Sequence, residues 1–310
     1  LILENTWQLN MRSSLLTIIV TYNAMQWAER CLGSLKDSTI IPDVLIVDNG
    51  STDGTQSFIQ KNYSNYFFTQ SKKNTGFGRA NNIGLQYALD YGYDYVYLLN
   101  QDAWVMPNTF EQLIEISKKH TEYGILSPFQ MNSDLKHIDN GFINRVCCWD
   151  SNSEIFDDLY NQSVRELYPV KVIMAAHWFM TRECIQKVGG FSPTFPHYGE
   201  DDNYAERVHF WNLKIGIVPS LRVVHDRGDR VVTNEYQTHQ CYINALIALS
   251  SPNETIKVKI KKIWANLKLA MRCKSFQPIK NTLKIFCHIK RINRNRQISI
   301  AQPCAFLIQR

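Results

Sequence analysis

Apolar runs alternate with amphipathic segments over the first 120 residues. The run LLTIIVT from Leu15 to Thr21 is continuous and rich in β-branched residues, as expected for a parallel strand that is covered on both faces. Residues 24–35 carry apolar side chains at helical spacing and predict a helix. Further strands are predicted at 44–47, 66–69 and 95–99, and further helices at about 53–63, 79–89 and 107–119. This alternation predicts an α/β fold with a doubly wound, mainly parallel sheet flanked by helices.

The pattern is less regular between 120 and 250. A short strand is predicted at 124–127, whereas 128–168 is polar and aromatic without a clear period, and we interpret it as a long functional excursion. Regular structure is predicted again at 170–180, with helices at 182–188, 200–210 and 233–249 and a last strand at 213–218.

Three polar clusters follow predicted strands. They are Asp48 to Ser51, Asn74 to Gly78 and Asn100 to Asp102. In doubly wound sheets, ligands bind beyond the carboxyl ends of the strands. We therefore expect the three loops to converge on one crevice.

Acidic residues and one histidine are candidates for chemistry near this crevice. Asp102 ends a strongly apolar strand, where a carboxylate serves either as a ligand for a divalent cation or as a turn residue. Glu200, Asp201 and Asp202 open a helix, where acids are favoured by the helix dipole but also raise one another's pKa and can supply a general base. His225 follows an apolar strand and is either a structural residue or a metal ligand. From these residues alone, both alternatives stay open at each position.

The composition excludes several classes of protein. With 45% apolar and 20% charged residues, the chain is not disordered, collagen-like or a small disulfide scaffold. The eight cysteines are scattered without CxxC pairs, which favours reduced, buried thiols in a cytosolic protein over disulfides. The sequence contains no apolar run of about 18 residues, so no transmembrane helix is predicted. Residues 1–10 lack the pattern of a signal peptide, and we treat 1–14 as a lead-in to a domain at 15–250.

The formal net charge of +6 combines two regions of opposite charge. Residues 251–310 hold 14 Lys or Arg and one acid, Glu254, and carry +13, whereas the preceding 250 residues carry −7. Lysines accompany apolar residues at helical spacing, which predicts a basic amphipathic C-terminal extension with a second such segment around Leu283 and Phe286. No nucleic-acid-binding module is recognised, so nucleic acid is not an expected partner. The apolar positions of the first segment are Ile256, Ile260, Ile263, Trp264, Leu267 and Met271.

Six segments in order resemble the inverting family 2 glycosyltransferases with a GT-A fold, especially the rhamnosyltransferase-like members of bacterial polysaccharide assembly. Each segment is weakly specific, but their number and order carry the resemblance over about 15–230. It implies a donor half at about 15–127 and an acceptor and catalytic half at about 128–250. The segments are TIIVTYNA (17–24), LIVDNGSTDGT (45–55), NTGFGRANNIG (74–84), YLLNQDAWV (97–105), VGGFSPTFPHYGEDDNYAER (188–207) and VVHDRG (223–228).

The resemblance implies that a nucleotide-sugar donor binds at the ends of the first strands. Thr21, Tyr22 and Asp48 would hold the base and ribose, and 74–79 would line the ribose and diphosphate. The donor stays open between dTDP-rhamnose and UDP-hexoses, since its selection depends on contacts in the 128–168 excursion. The full implied donor set is Thr21, Tyr22, Asn23, Asp48, Asn74, Gly76, Phe77, Arg79, Asn82 and Gln101.

The resemblance also implies a metal ion. Asp102 corresponds to the last acid of the family's DXD motif, which here reads Asn100-Gln101-Asp102 and lacks the first acid. Asp102 would bind Mg²⁺ or Mn²⁺ against the diphosphate, with His225 as a second ligand.

By the same resemblance, Asp201 corresponds to the general base that deprotonates an acceptor hydroxyl in an inverting transfer. Glu200 would bind the acceptor or orient the base. Asp202 is a candidate acceptor contact or helix cap, and Trp178 is a candidate sugar platform or a core residue.

The implied acceptor is a glycan or a lipid-linked glycan of bacterial surface polysaccharide synthesis. The basic extension suits attachment to an anionic membrane surface, at about 1 kcal/mol per basic residue near the lipid, and predicts a cytoplasmic protein at the inner face of the cell membrane. The alternative is a helix packed on the catalytic domain with a solvated basic face. The oligomeric state is open.

Two other functions are weighed against a glycosyltransferase. A sugar nucleotidyltransferase would carry a basic, Gly-rich loop directly after the first strand, and residues 21–24 lack one. A catalytically silent sugar-binding or scaffold protein is compatible with Asn100 in place of an acid.

Overall fold

The computed structural model describes residues 13–149, 154–228, 233–273 and 276–308. Within these ranges nine strands form one sheet in the order β3-β2-β1-β4-β8-β6-β9-β5, with β7 paired to β9. Strands β1 to β4, β6 and β9 run in one direction and the other three run against them, so the predicted mainly parallel sheet is confirmed. The strands are β1 (Leu15–Thr21), β2 (Asp43–Asp48), β3 (Phe67–Gln70), β4 (Tyr95–Asn100), β5 (Ala103–Trp104), β6 (Tyr123–Met131), β7 (Tyr168–Val170), β8 (His177–Thr181) and β9 (Lys214–His225).

Helices flank the sheet. A π-helical turn, Asn144–Trp149, continues the fifth helix, and the last two helices confirm the predicted helical extension. No helix in the described ranges is long and apolar enough to cross a membrane. The helices are α1 (Ala28–Lys36), α2 (Thr55–Asn62), α3 (Phe77–Tyr91), α4 (Thr109–Lys119), α5 (Asn140–Ile143), α6 (Glu154–Tyr160), α7 (Arg182–Val188), α8 (Glu200–Phe210), α9 (Asn234–Ser250), α10 (Ile256–Cys273) and α11 (Gln277–Ala301).

The first strand is buried on both of its faces. Leu16 and Ile18 belong to a core cluster that includes residues of α3, α7 and α8. Leu15 and Ile19 belong to a second cluster, with residues of α1, α2 and α4. Because successive side chains of a strand point to opposite faces, both faces need apolar residues, and the continuous run LLTIIVT supplies them.

Several predicted boundaries differ from the structure, and three of the differences have a clear local cause. Helix α1 begins four residues late, because 24–27 form a turn in which the Trp27 amide donates to the Ala24 carbonyl at 2.9 Å. Helix α2 begins after Gly54, whose φ of 93° is not helical. Strand β9 runs past the predicted end at Val218, because residues 219–221 bulge from the ladder and pairing with β6 resumes at Arg222.

The prediction of an irregular excursion at 128–168 is partly wrong. Strand β6 continues to Met131 and is buried along its whole length, and short helices and β7 follow. Helices of four to seven residues hold too few turns to display a hydrophobic period, which explains why the sequence pattern does not reveal them.

The C-terminal helices pack on the acceptor half of the domain. Phe195, which precedes α8, shares a buried cluster with Ile243 of α9 and with Ile285 and Ile292 of α11. The last described residues return to the end of α7, where the Gly190 amide donates to the carbonyl of residue 305 at 2.7 Å. The described residues of 251–273 and 276–308 therefore complete the core beside α7 and α8.

Candidate active site

The crevice lies at the carboxyl ends of β1 and β4, where the strand order reverses. Strands β2 and β4 lie on opposite sides of β1, which separates the loops that follow them. Gln101 Oε1 accepts a hydrogen bond from the Tyr22 amide at 2.7 Å, and Gln101 Nε2 donates to the Tyr22 carbonyl at 3.2 Å. This double contact fixes two predicted donor loops against each other and leaves the Tyr22 side chain exposed.

Asp48 organises the loop after β2. Asp48 is fully buried and Thr21 is 2% exposed, so neither has surface to offer a base or ribose, and the prediction of direct donor contact is wrong for both. Thr21 and Asp48 instead fix the loop that follows β2. The Asp48 carboxylate accepts hydrogen bonds from the Thr21 and Ser51 hydroxyls, the Gly50 and Ser51 amides and the Gln56 side chain.

Asn74 and Gly76 lie in the loop before α3. Asn74 Oδ1 accepts from the Asn49 side chain at 3.0 Å and from the Gly76 amide at 2.9 Å. A Cβ at Gly76 would lie 2.0 Å from the Pro196 carbonyl oxygen, and the φ of Gly76 is +91°. Only glycine satisfies both conditions, so the donor-side loop can touch the loop that leads into α8.

The remaining predicted donor residues differ in exposure. Asn23 and Arg79 are exposed. Asn82, in contrast, donates to the Phe191 carbonyl at 3.0 Å and accepts from the Phe191 amide at 2.7 Å. Its amide group is thus committed to joining α3 to the next loop, which argues against the predicted donor contact. Phe77 packs edge-on against Phe191, with ring centroids 5.8 Å apart.

A cavity of about 890 Å³ lies between this crevice and helices α8 and α9. It brings together the acids predicted for metal binding, catalysis and acceptor binding, namely Asp102, Glu200, Asp201 and Asp202, whereas Phe77 is the one member of the predicted donor set that lines it. Its lining has more carboxyl than guanidinium groups, which opposes the binding of a diphosphate unless a cation accompanies it. The charged lining residues are Asp102, Asp139, Glu200, Asp201, Asp202, Arg145 and Arg227.

Strand pairing places Asp102 beside His225. Ala103 pairs with His225 between β5 and β9, and the Asp226 amide donates to the Asp102 carbonyl at 2.7 Å. As a result, His225 Nε2 lies 3.7 Å from Asp102 Oδ1. Burial raises the pKa of the Asp102 carboxyl, and the neighbouring acids Asp226 and Asp139 add to this shift.

His177 supports this pair from within the sheet. His177 Nε2 lies 2.9 Å from the Val224 carbonyl, and its Nδ1 lies 2.8 Å from the Tyr97 hydroxyl. A carbonyl oxygen only accepts, so Nε2 carries the proton and Nδ1 accepts from the tyrosine. Burial lowers the pKa of His177 to about 4. A neutral imidazole therefore links β4 to the residue that precedes His225.

Asp102, His225 and Asn100 fit a divalent cation that is shared with a diphosphate. Asn100 lines the cavity, and its buried Oδ1 has no hydrogen-bond partner. Among the residues that the structure describes, no group of three or more His, Cys, Asp or Glu side chains could hold a metal ion by itself. Mg²⁺ usually binds proteins through one or two carboxylates together with substrate phosphates. The unpartnered oxygen of Asn100 lies where the resemblance expects the missing acid of the DXD motif.

The acidic helix start holds three carboxyl groups in different surroundings. Burial, and then the neighbouring carboxylates, raise the pKa values of Glu200 and Asp201. Asp202 is instead engaged by Arg145, which donates through both terminal nitrogens, with Nη2 2.9 Å from Oδ2. Glu200 Oε2 is buried without a hydrogen-bond partner. Of the three acids at this helix start, Asp201 is the one that is neither buried nor bound to a guanidinium.

A second guanidinium, that of Arg227, also lines the cavity. Arg227 Nε donates to Asp139 Oδ2 at 3.2 Å, and the Phe142 amide donates to Asp139 Oδ1 at 2.6 Å. A Cβ at Gly141 would lie 1.5 Å from Arg227 Nη2, so the glycine makes room for the guanidinium. Arg227 thus places a positive charge at the cavity, and its guanidinium is held by Asp139 at the start of α5.

The predicted sugar platform at Trp178 is wrong. Trp178 is fully buried, and its indole nitrogen donates to the Ile173 carbonyl at 3.2 Å. Its ring stacks on Phe191 and contacts Tyr204, with centroids 6.1 and 5.5 Å away. Because Trp178 is part of the core, it has no face for a sugar; residues 174–176 line the cavity instead.

Four residues that shape this site were not predicted from the sequence. Arg145 and Asp139 lie in the segment without a hydrophobic period, and Arg145 is on the π-helical turn. His177 gives no signal, because an apolar strand contains it. Arg227 belongs to the quoted segment VVHDRG and is the one that the motif could have indicated.

The family model and two relatives that are similar to this chain are all described as glycosyl transferases. The model of the family described as Glycosyl transferase family 2 matches residues 17–188, more than half of the chain. The N-acetylglucosaminyl-diphospho-decaprenol L-rhamnosyltransferase of Mycobacterium tuberculosis is 27% identical over 240 residues, which are 70% of this chain and 78% of that protein. The dTDP-rhamnosyl transferase RfbF of Shigella flexneri is 21% identical over 223 residues, 72% of each.

Solved structures share the fold. S. aureus TarS 1–349 in complex with UDP-GlcNAc superposes with a TM-score of 0.54 at 16% identity, over 92% of this chain and 84% of that chain. The mannosyltransferase PcManGT from Pyrobaculum calidifontis, in complex with GDP-Man and Mn²⁺, gives a TM-score of 0.53 at 16% identity, over 94% of this chain and 75% of that one.

Proposed function

This chain belongs to glycosyl transferase family 2, as its resemblance indicated, and on that basis we propose that it is an inverting, metal-dependent enzyme with Asp201 as its general base. Transfer of a sugar from a nucleotide-sugar donor is supported by the family match and by the relatives. The observation that carries the assignment of the base is the ion pair of Arg145 with Asp202. It leaves Asp201 as the carboxylate that is available to an acceptor.

In the proposed reaction, Asp201 takes the proton of an acceptor hydroxyl while that oxygen attacks the anomeric carbon. The new carbon–oxygen bond forms on the face opposite the diphosphate. The bond to the diphosphate breaks, and its electron pair leaves with the nucleoside diphosphate, so the configuration inverts. Burial raises the pKa of Glu200 to about 8, so at neutral pH this group can donate a hydrogen bond to the acceptor.

The proposed ligands of Mg²⁺ or Mn²⁺ are Asp102, His225 and Asn100. Bound there, the ion supplies positive charge next to the leaving diphosphate. The excess of carboxyl groups in the cavity supports this requirement. Arg227, which lines the same cavity, adds a fixed positive charge.

The proposed donor is dTDP-rhamnose, because the relatives in Shigella flexneri and Mycobacterium tuberculosis are both named as rhamnosyl transferases. The proposed acceptor is a lipid-linked glycan, because the mycobacterial relative is named for a diphospho-decaprenol acceptor. UDP-hexoses are the alternative donors. We place the reaction in bacterial surface polysaccharide synthesis, on the cytoplasmic face of the membrane.

A panel of nucleotide sugars tests this proposal. dTDP-rhamnose, UDP-glucose, UDP-GlcNAc and GDP-mannose are titrated into the full chain by calorimetry, with Mn²⁺ and with EDTA. We expect dTDP-rhamnose to bind at least about tenfold more tightly with Mn²⁺, a difference of about 1.4 kcal/mol. The anomeric configuration of the transferred sugar is then determined by NMR. Retention of configuration would contradict the mechanism, and the absence of transfer from every donor would contradict the activity.

A further inference from the structure

Helix α10 leaves its apolar stripe uncovered. Ile256, Ile260, Trp264 and Met271 recur at spacings of four, four and seven residues, which places them on one helix face. Their side chains are 69%, 49%, 56% and 74% exposed. The face that packs against the protein is a different one and includes Asn266 and Ala270. The helix is therefore packed on the domain, as one alternative predicted. Ile263, another apolar position of the sequence pattern, takes part in that packing, whereas the four residues of the exposed stripe do not.

Helix α11 repeats this arrangement. Phe276, just before the helix, and Ile279, Leu283 and Phe286 recur at spacings of three and four residues and are all exposed. The buried face of α11 is again a different one, formed by residues such as Ile285 and Ile292. Met271 and Phe276 lie at the ends of α10 and α11 that adjoin each other along the chain.

Basic residues border both stripes. On α10, Lys257, Lys261 and Lys268 lie beside the apolar positions and are exposed. On α11, Lys280 and Arg291 take the corresponding places. The two helices carry twelve Lys or Arg residues and no acid. We call the exposed apolar residues of 256–286, with these bordering cations, the basic–apolar face.

The composition of this face indicates its partner. A second copy of the chain would bring the same positive charge against it, and like charges repel. An acidic soluble partner would match the charge but not the row of exposed Ile, Trp, Leu and Phe side chains. Aromatic and aliphatic residues flanked by Lys and Arg match the boundary between lipid headgroups and acyl chains.

We propose that the basic–apolar face docks on an anionic lipid bilayer, with Trp264 and Phe286 entering the headgroup region and the bordering cations contacting lipid phosphates. This inference is independent of the transferase assignment. Helix α9 connects the face to the site: its residue Ile243 lines the cavity and shares a buried cluster with α11. Docking would hold the acceptor side of the cavity near the membrane.

The test is co-sedimentation of the full chain with vesicles. Vesicles of equimolar phosphatidylglycerol and phosphatidylcholine are compared with vesicles of phosphatidylcholine alone, at roughly 0.1 M salt and at about 1 M salt. The variants are Trp264→Glu/Phe286→Glu and Lys257→Glu/Lys261→Glu. The matched control is Ile41→Glu, whose side chain is 57% exposed in the donor half. Thermal unfolding of each variant reports its folding. Point variants are used because a truncation at Ser250 would remove the buried residues of α11 and disturb the core.

We expect the wild type and Ile41→Glu to bind the anionic vesicles and to bind neutral ones at least about tenfold more weakly. Each double variant should lose at least about tenfold in apparent affinity while unfolding at the wild-type temperature. No binding to anionic vesicles would overturn the proposal, and so would equal binding by Trp264→Glu/Phe286→Glu. A dimer in lipid-free sedimentation velocity that Trp264→Glu/Phe286→Glu dissociates would assign the face to a second copy instead.

Discussion

The guanidinium of Arg145 holds the carboxylate of Asp202 through both terminal nitrogens, with Nη2 2.9 Å from Oδ2. This contact separates the roles of two adjacent acids. Asp202 is bound in an ion pair, whereas Asp201 contributes to the cavity lining without one. Arg145 also acts on Asp201 at a distance, because its positive charge opposes the rise of the Asp201 pKa.

Replacing Arg145 should therefore move the pH dependence of transfer. Arg145→Met removes the positive charge that lowers the pKa of Asp201. This pKa therefore rises further, and a higher pH is needed to ionise the base. We expect kcat to fall at neutral pH and to recover partly in alkaline buffer. Arg145→Lys keeps the charge without the bidentate geometry and should shift the profile less.

The profile of kcat against pH for both variants checks this expectation. Arg165→Met is the matched control, because Arg165 forms ion pairs with Glu154 and Asp158 at an exposed site. An unchanged acidic limb in Arg145→Met would show that Arg145 does not tune the base.

The wild-type rate should itself depend on the ionisation of Asp201. Burial raises the pKa of this group from 3.8 to about 6, and a general base acts only when ionised. We expect kcat/KM to increase as the pH rises through about 6 and then to level off. A plateau that extends down to pH 4 would contradict the assignment, because an ordinary exposed aspartate would remain ionised there.

The same shift has a consequence for stability. A carboxyl group with a raised pKa in the folded state binds more protons when folded than when unfolded, between its unfolded pKa near 3.8 and about 6. Its contribution to the free energy of unfolding is therefore lost as the pH rises through that window. Asp201→Asn should remove this component, so at pH 7 the variant should unfold at the wild-type temperature or above it.

His177 should stabilise the protein only while it is neutral. Its pKa falls from 6.5 in the unfolded chain to about 4 in the folded protein, so its stabilisation is lost as the pH decreases from 6.5 towards 4. His177→Phe leaves the buried Tyr97 hydroxyl without its partner at a cost of about 1–3 kcal/mol. It should also weaken the dependence of donor binding on Mn²⁺, because His177 holds the strand segment before His225.

Urea denaturation of His177→Phe at several pH values, together with Mn²⁺ titration, measures both effects. A stability loss that is independent of pH, with unchanged Mn²⁺ dependence, would reduce His177 to a packing residue.

Asp102→Ala should weaken donor binding only when metal is present. With Mn²⁺, we expect a loss of at least about tenfold, which corresponds to about 1.4 kcal/mol; with EDTA, the variant and the wild type should bind equally weakly. Asp226→Ala is the control, because Asp226 adjoins the same strand end but does not line the cavity. Equal losses with and without metal would show that Asp102 does not act through an ion.

Sequence patterns predicted the parts of this molecule that repeat over many residues. The apolar runs ending at Asp48 and Asn100 specified buried strands, and strand ends specified where the polar loops meet. Helix α8 begins at Glu200, where its three acids indicated a helix start. These features depend on local spacing, which a single sequence displays.

Contacts between distant segments could not be predicted in the same way. Trp178 has the side chain of a sugar platform, but the pairing of β8 with β4 and β6 buries it in the core. Asp48 has the chemistry of a ribose ligand, but its own loop uses its hydrogen-bonding capacity. Arg145 reaches Asp202 across 57 residues of sequence, from a turn that shows no periodicity.

Transfer and donor binding in Asp201→Asn test the role of Asp201 most directly. The substitution keeps the shape of the side chain and removes its ability to take a proton. We expect transfer to fall by at least about a hundredfold, within the usual contribution of a general base, while dTDP-rhamnose with Mn²⁺ binds within about threefold of wild type. Asp202→Asn, assayed in parallel, should lose stability without an equal loss of transfer. Wild-type transfer by Asp201→Asn would show that Asp201 is not the base.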